Sequence, residues 1–274
     1  MNMQMSHRTL PRTLMRMNSL DTGGSIVFLP DFGGNVIYAQ PIQKFLSKEY
    51  SCFGARLAPD MVEALDSLSL IDIAERFAVD IHQTDIPRPI HICGFSFAGF
   101  LAFEVARHLS TLEQETGELL ILDTRMRPLS MFARFLHNPI QESLYAVRFF
   151  IKNWRSLLSR PDDQLILHRY GQIRMDLGNH AEAHRTIIRQ LYGKMAEYHP
   201  RPWTGSATIF RAEEIPWGFF LDDLGWGRLI RGPLSFVNVP GNHLSMLRNA
   251  ENAAVLAEKL RLRLEAVDKE QVDV

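Results

Sequence analysis

Gly94-Phe-Ser96-Phe-Ala98-Gly99 sets a serine among small and aromatic residues, where a strand-like stretch, Pro89-Ile-His-Ile-Cys93, gives way to a helical one. A sharp strand-to-helix turn there strains the backbone of Ser96 and lifts its hydroxyl clear of the chain, provided that Gly94 and Ala98 let strand and helix approach closely. That geometry is a nucleophile elbow. The pattern is G-x-S-x-A with Gly99 one place later, so the last small position is Ala rather than Gly. The plain alternative is that Ser96 only caps the helix that follows.

A hydroxyl is a weak nucleophile until a base takes its proton, so a histidine held by an acid must reach the same rim. Of the 10 histidines, His243 lies in Val239-Pro-Gly-Asn-His243, a loop directly after the last strand-like run. Eight others stand inside a strand (His91), on helices (His82, His108) or in the stretch between Leu129 and Pro200 (His137, His168, His180, His184, His199). Two acids compete to orient the imidazole. Asp123 ends the run Leu119-Leu-Ile-Leu122, and Glu213 follows Ala207-Thr-Ile-Phe-Arg211. Either is otherwise a solvated charge at a strand end. An oxyanion formed at the attacked carbonyl needs two backbone N–H donors. Phe97, after the nucleophile, supplies one. The other comes from Leu29-Pro30-Asp31-Phe32-Gly33-Gly34, where Pro30 has no N–H and Asp31 is the best donor, on condition that its carboxylate turns away. His180-Ala-Glu-Ala-His184 spaces two imidazoles one helical turn apart, but no third ligand accompanies them and a solvated face explains them better. Gly33-Gly34 is followed by neither a P-loop Lys-Ser nor a dinucleotide glycine series. No metal site is expected.

These residues need a scaffold that brings strand ends together. Ser25-Ile-Val-Phe-Leu29, Ser51-Cys-Phe-Gly-Ala55 and Pro89-Cys93 read as buried strands, and Tyr38–Leu46 and Leu70–Ile81 between them carry helical periodicity. The order βαβαβ predicts a parallel sheet with right-handed crossovers and ligands beyond the carboxyl ends of its strands. Ala98–Leu109 continues as helix and Leu119–Leu122 as strand; Ala207–Arg211 and Leu234–Val239 resume the sheet, and the apolar stripe of Asn252–Leu264 packs on it. The gap from about Leu129 to Pro200 exceeds what a crossover requires. Its apolar spacing predicts helices over Gln141–Leu158, Asp162–Asp176 and His180–Tyr198, an inserted helical lid. Residues 1–23 contain no acid before Asp21, place Arg8, Arg12 and Arg16 four apart and are broken by Pro11; they read as a mobile leader or linker, with the fold starting near Gly24.

Composition closes off other classes. The chain has 274 residues, 46% hydrophobic and 22% charged, with 30 basic against 31 acidic side chains, enough for one domain of 24–274 with a core and a pocket. The near-zero net charge supplies no field for nucleic acid or an anionic membrane surface. No apolar run approaches the length of a membrane span. Cys52 and Cys93, both within apolar runs, fit small core residues in a reducing, cytoplasmic compartment.

From about Gly24 to Leu264 the chain resembles the thioesterase domains that end nonribosomal peptide synthetases and related polyketide assembly lines, which are α/β-hydrolases. The resemblance rests on Phe28-Leu-Pro30 with Gly33-Gly34, on Gly94–Gly99 followed by Phe100-Leu-Ala-Phe-Glu-Val-Ala-Arg107, on Leu122-Asp123, on Phe210-Arg-Ala-Glu213 with Gly225-Trp226, and on Val239–His243 followed by Leu-Ser-Met246. It implies an α/β fold of the α/β-hydrolase type, a mostly parallel sheet flanked by helices with a lid inserted at about 129–200, and Ser96, Asp123 and His243 as a triad. Many α/β-hydrolases take their acid from the position of Glu213 instead. The resemblance also implies a partner, an acyl or peptidyl carrier protein, whose phosphopantetheine arm delivers a thioester to Ser96; no bound cofactor is needed. An acyl-enzyme then releases a small-molecule acyl product by hydrolysis or cyclisation. Phe149, Phe150 and Trp154 in the lid suit an apolar acyl chain, or plain core. The alternatives are an editing thioesterase that clears misprimed carrier proteins, and an inactive module that only binds a carrier.

Overall fold

Val27 and Leu29 pack into one hydrophobic cluster while their neighbours Ile26 and Phe28 pack into another, the period-two signature of a strand covered on both faces. Leu119 and Ile121 alternate with Leu120 and Leu122 in the same way. Such strands can only sit in the middle of a sheet with helices on either side. The computed structural model of the chain describes residues 10–21, 23–114, 116–126, 147, 164–166, 174–176, 181–214 and 223–272. Its elements are β1 (Leu14–Arg16), β2 (Ser25–Phe28), α1 (Gln40–Leu46), β3 (Ser51–Ala55), α2 (Pro59–Glu63), α3 (Leu70–His82), β4 (Ile90–Phe95), α4 (Ala98–Thr111), β5 (Thr116–Leu122), β6 (Gln164–Ile166), β7 (Arg174–Asp176), α5 (Glu182–Glu197), β8 (Ala207–Ala212), β9 (Leu234–Val239), α6 (Ser245–Arg248) and α7 (Ala250–Val272).

Seven strands form one sheet in the order β1-β3-β2-β4-β5-β8-β9, parallel throughout except for β1. Helices α2, α3, α4 and α5 contribute to the cluster on one face, and α1, α6 and α7 to that on the other. The architecture is that of an α/β-hydrolase, as the alternating pattern predicts. From β2 the chain moves outward to β3 and then back across to β4, so the loops after β2 and β4 flank the place where strand order reverses, the preferred position for a ligand. Among the described residues no helix is long and apolar enough to cross a membrane.

Two expectations require correction. The ordered structure starts before Gly24: Leu14–Arg16 pairs antiparallel with β3, and the Asn18 side chain accepts from the Cys52 N–H at 2.8 Å and donates to Tyr50 O at 2.8 Å. A three-residue edge strand with only Leu14 buried has no periodicity to read, and Pro11 breaks a helix without hindering an edge strand. The second concerns the helix expected over 162–176. Gln164–Ile166 and Arg174–Asp176 are instead strands, paired antiparallel with Gln164 opposite Asp176. Apolar runs this short satisfy either periodicity. Helix α5 matches the third expected lid helix. Phe149, Phe150, Trp154, His137, His168 and His180 lie outside the described residues.

Candidate active site

Ser96 occupies the turn between β4 and α4 with φ of 54°, a left-handed conformation that a non-glycine residue adopts only under constraint. The constraint is visible on both sides of its peptide. Its N–H donates to Leu122 O at 3.0 Å, and its carbonyl accepts from Thr124 Oγ1 at 2.7 Å, so the exit of β5 grips the serine from either side. The small residues around it answer to close approach. A Cβ on Gly94 would stand 2.2 Å from Ala98 O, and one on Gly99 would stand 1.9 Å from Thr124 Oγ1. Gly99 therefore carries a requirement of its own, that of the gripping threonine.

Asp123 follows β5 directly, with φ of 43°. Its N–H donates to Phe210 O at 2.7 Å, and its Oδ1 accepts from the Ala212 N–H at 3.1 Å, which fixes the carboxylate against β8. The side chain is fully buried. Its other oxygen, Oδ2, lies 2.7 Å from His243 Nδ1 and 3.5 Å from Arg125 Nη2. A carboxylate can only accept, so in the neutral imidazole Nδ1 carries the proton and Nε2 keeps its lone pair. That lone pair faces Ser96 Oγ at 3.0 Å.

His243 is delivered by a tight turn after β9. Gly241 adopts φ of 87°, and a Cβ there would meet Asn252 Nδ2 at 2.3 Å and Ser245 Oγ at 2.4 Å. Asn242 Oδ1 then accepts from the N–H groups of Leu244 and Ser245 at 3.1 and 3.0 Å, which starts α6 and pins the loop. Beneath the imidazole the Phe95 ring is stacked at 4.8 Å, and Phe95 in turn touches the ring of Tyr38, whose hydroxyl donates to Leu29 O at 2.8 Å.

Of the residues named from sequence, Ser96, Asp123 and His243 thus come together from three separate strand ends. Glu213 does not join them: it is exposed, and its N–H donates to Val239 O at 2.9 Å. Phe97 starts α4, where amides have no intrahelical acceptor, and its ring stacks on Phe32 at 4.3 Å. The Asp31 N–H donates to Asn35 O at 2.9 Å, and its Oδ1 accepts from the Gly33 N–H at 2.7 Å, an Asx turn that folds the carboxylate back on its own loop. Burial pushes that carboxyl upward, against the lowering effect of the Gly33 and Asn35 N–H groups and of His184. His184 belongs to α5 and packs beside Gly33. Among the described residues no three His, Cys, Asp or Glu side chains gather into a metal site.

Sequence reading gave no role in the site to Thr124, Arg125, Phe95 or Trp226, whose Nε1 donates to Thr124 O at 2.8 Å. Only Gly99, a glycine inside a helix, signalled that something large stood opposite.

A hydroxyl, an imidazole within hydrogen-bond reach and a buried carboxylate behind it are an arrangement that can support acyl transfer through a covalent intermediate. No curated protein matches the chain. Among solved structures, the Vlm2 thioesterase domain is 20% identical with a TM-score of 0.59, covering 92% of this chain and 97% of that one. The NocB thioesterase domain, in covalent complex with a fluorophosphonate nocardicin G analog, is 17% identical with a TM-score of 0.61 over 91% of this chain and 98% of its own. A four-domain nonribosomal peptide synthetase, AB3403, matches 92% of this chain with 20% of its length, at 18% identity and a TM-score of 0.66. A family model of the thioesterase domain matches residues 25–261, and with that match across nearly the whole sheet the chain belongs to the thioesterase domain family.

Proposed function

We propose that the protein is a serine-dependent thioesterase of the nonribosomal peptide synthetase and polyketide type, acting in the cytoplasm on acyl or peptidyl chains presented by a carrier protein. The observation that carries this reading is the relay from Ser96 Oγ to His243 Nε2 at 3.0 Å and from His243 Nδ1 to Asp123 Oδ2 at 2.7 Å. Ser96 attacks the thioester carbonyl while His243 takes its proton, and Asp123 holds the tautomer and stabilises the imidazolium. The Phe97 N–H receives the oxyanion, and the Asp31 N–H joins it when the acyl oxygen displaces Asn35 O. The phosphopantetheine thiol leaves with the proton from His243. Water or an internal nucleophile, activated by the same imidazole, then frees the chain from the serine as acid or ring. The fold similarity to synthetase thioesterase domains supports a carrier-borne thioester as the donor.

Turnover of a panel of carrier-bound thioesters, from acetyl to peptidyl, tests the reading. Release of long or peptidyl chains in preference to acetyl, lost in Ser96→Ala, is expected. Preference for the shortest chains would mark an editing enzyme instead, and binding without turnover would mark an inactive carrier-binding module.

A further inference from the structure

Arg125 stands two residues beyond Asp123 on a segment anchored along its length. Asp123 N–H is held by Phe210 O at 2.7 Å, Thr124 O by Trp226 Nε1 at 2.8 Å, and Met126 N–H by Leu224 O at 2.9 Å. A side chain rooted there is aimed by the backbone. Its guanidinium turns back, with only 14% of the side chain exposed, and sets Nη2 at 3.5 Å from Asp123 Oδ2, the oxygen that also holds the His243 proton. One carboxylate oxygen therefore faces two cations once the imidazole is protonated.

We infer that Arg125 is a positioning residue whose guanidinium, set on Asp123 Oδ2, opposes a second positive charge on the His243 imidazole and so extends the use of that base to lower pH. The inference rests on the roles given above to Ser96, His243 and Asp123. A fixed positive charge behind the carboxylate opposes a second positive charge on the imidazole. Burial works against the guanidinium's own charge, and Asp123 offsets part of that effect. The other charged groups around the site are engaged elsewhere: Glu214 faces Asn242 Nδ2 at 3.5 Å, Arg211 donates to Asn238 Oδ1 at 3.1 Å, and Asp31 accepts from Gly33 and faces His184. Glu213 is exposed, and Tyr38 hydrogen bonds to Leu29 O. Among the described residues, Arg125 is the cation whose charged atoms lie on Asp123. Arginine suits the place because it stays protonated across the working range.

The test is the rate at which a fluorophosphonate labels Ser96, followed by intact mass across pH, in the wild type, Arg125→Lys and Arg125→Met. Labelling needs the neutral base, so its acid limb reports His243. Arg125→Lys should follow the wild type. Arg125→Met should shift the limb upward by about one pH unit, a roughly tenfold slower rate well below the limb, with the alkaline plateau changed by less than about threefold. An unmoved limb, or an equal loss at every pH as a merely structural role would give, overturns the inference and leaves the triad reading standing. If Arg125→Met fails to fold, as judged by its thermal melt, Arg125→Gln carries the same comparison. A wild type that is not labelled on Ser96 removes the triad reading and this inference with it.

Discussion

Asp123→Asn changes one atom type at the point where three donors converge. Oδ1 accepts from the Ala212 N–H at 3.1 Å and Oδ2 from His243 Nδ1 at 2.7 Å, both in a fully buried position. An asparagine can keep only one acceptor. If its oxygen stays on Ala212, its amide NH2 faces Nδ1, which must then accept, and the imidazole proton moves to Nε2 facing Ser96. A base in that tautomer takes no proton. The flipped rotamer restores the tautomer but sets NH2 against the Ala212 N–H, and a buried unsatisfied donor costs about 2 kcal/mol, leaving roughly one molecule in thirty competent. Those molecules lack the carboxylate charge that stabilises the imidazolium, worth about 2–3 kcal/mol at this depth, a further thirtyfold or more. The product is a loss of about 10³- to 10⁴-fold in kcat, in the range known for the same change in serine proteases. Hydrolysis of a small acyl thioester at the alkaline plateau measures it, with a thermal melt to show that the variant is folded. Glu213→Gln in the same assay should stay within about threefold. A mild effect of Asp123→Asn, or a larger effect at Glu213, refutes the reasoning and moves the acid.

Thr124→Val keeps the shape but removes the hydroxyl that grips Ser96 O at 2.7 Å; stability should fall by about 1 kcal/mol and kcat by roughly three- to tenfold, read by denaturant titration and turnover. Gly99→Ala drives a Cβ to 1.9 Å from that same Oγ1, and overpacking of this kind costs about 1–3 kcal/mol, a drop of roughly 3–10 °C in Tm. Thiol reagents should leave activity intact in the native protein, because burial pushes Cys52 up to about 12 and Cys93 higher still; rapid inactivation by iodoacetamide at pH 8 would count against it.

How far the chain could be read without coordinates depended on whether a feature was periodic. The strands Ser51–Ala55 and Leu234–Val239 are continuous or alternating apolar runs and were legible to the residue. The elbow was legible because a glycine, a serine and a further small residue mark a turn that few other combinations permit. Leu14–Arg16 was hidden by its brevity, and Gln164–Ile166 by an apolar spacing that fits helix and strand alike. The choice between Asp123 and Glu213 could not be made from position, since both end strands on the same edge of the sheet. The resemblance pointed to Asp123, and the contact that seats its carboxylate, from the Ala212 N–H, has no signature in residue type. Arg125 was invisible for the same reason: an arginine two places after an acid is ordinary until the backbone between them is anchored.

The central claim is that Ser96 Oγ carries the acyl chain between the carrier thiol and the final acceptor. Incubation with an acylated carrier protein, rapid acid quench and intact-mass analysis read that bond directly. The expected result is a mass increment equal to the acyl group, localised by proteolysis to the peptide containing Ser96, absent in Ser96→Ala and longer-lived in His243→Ala if it forms at all. An increment that persists in Ser96→Ala, or turnover at the wild-type rate by that variant, would contradict the account.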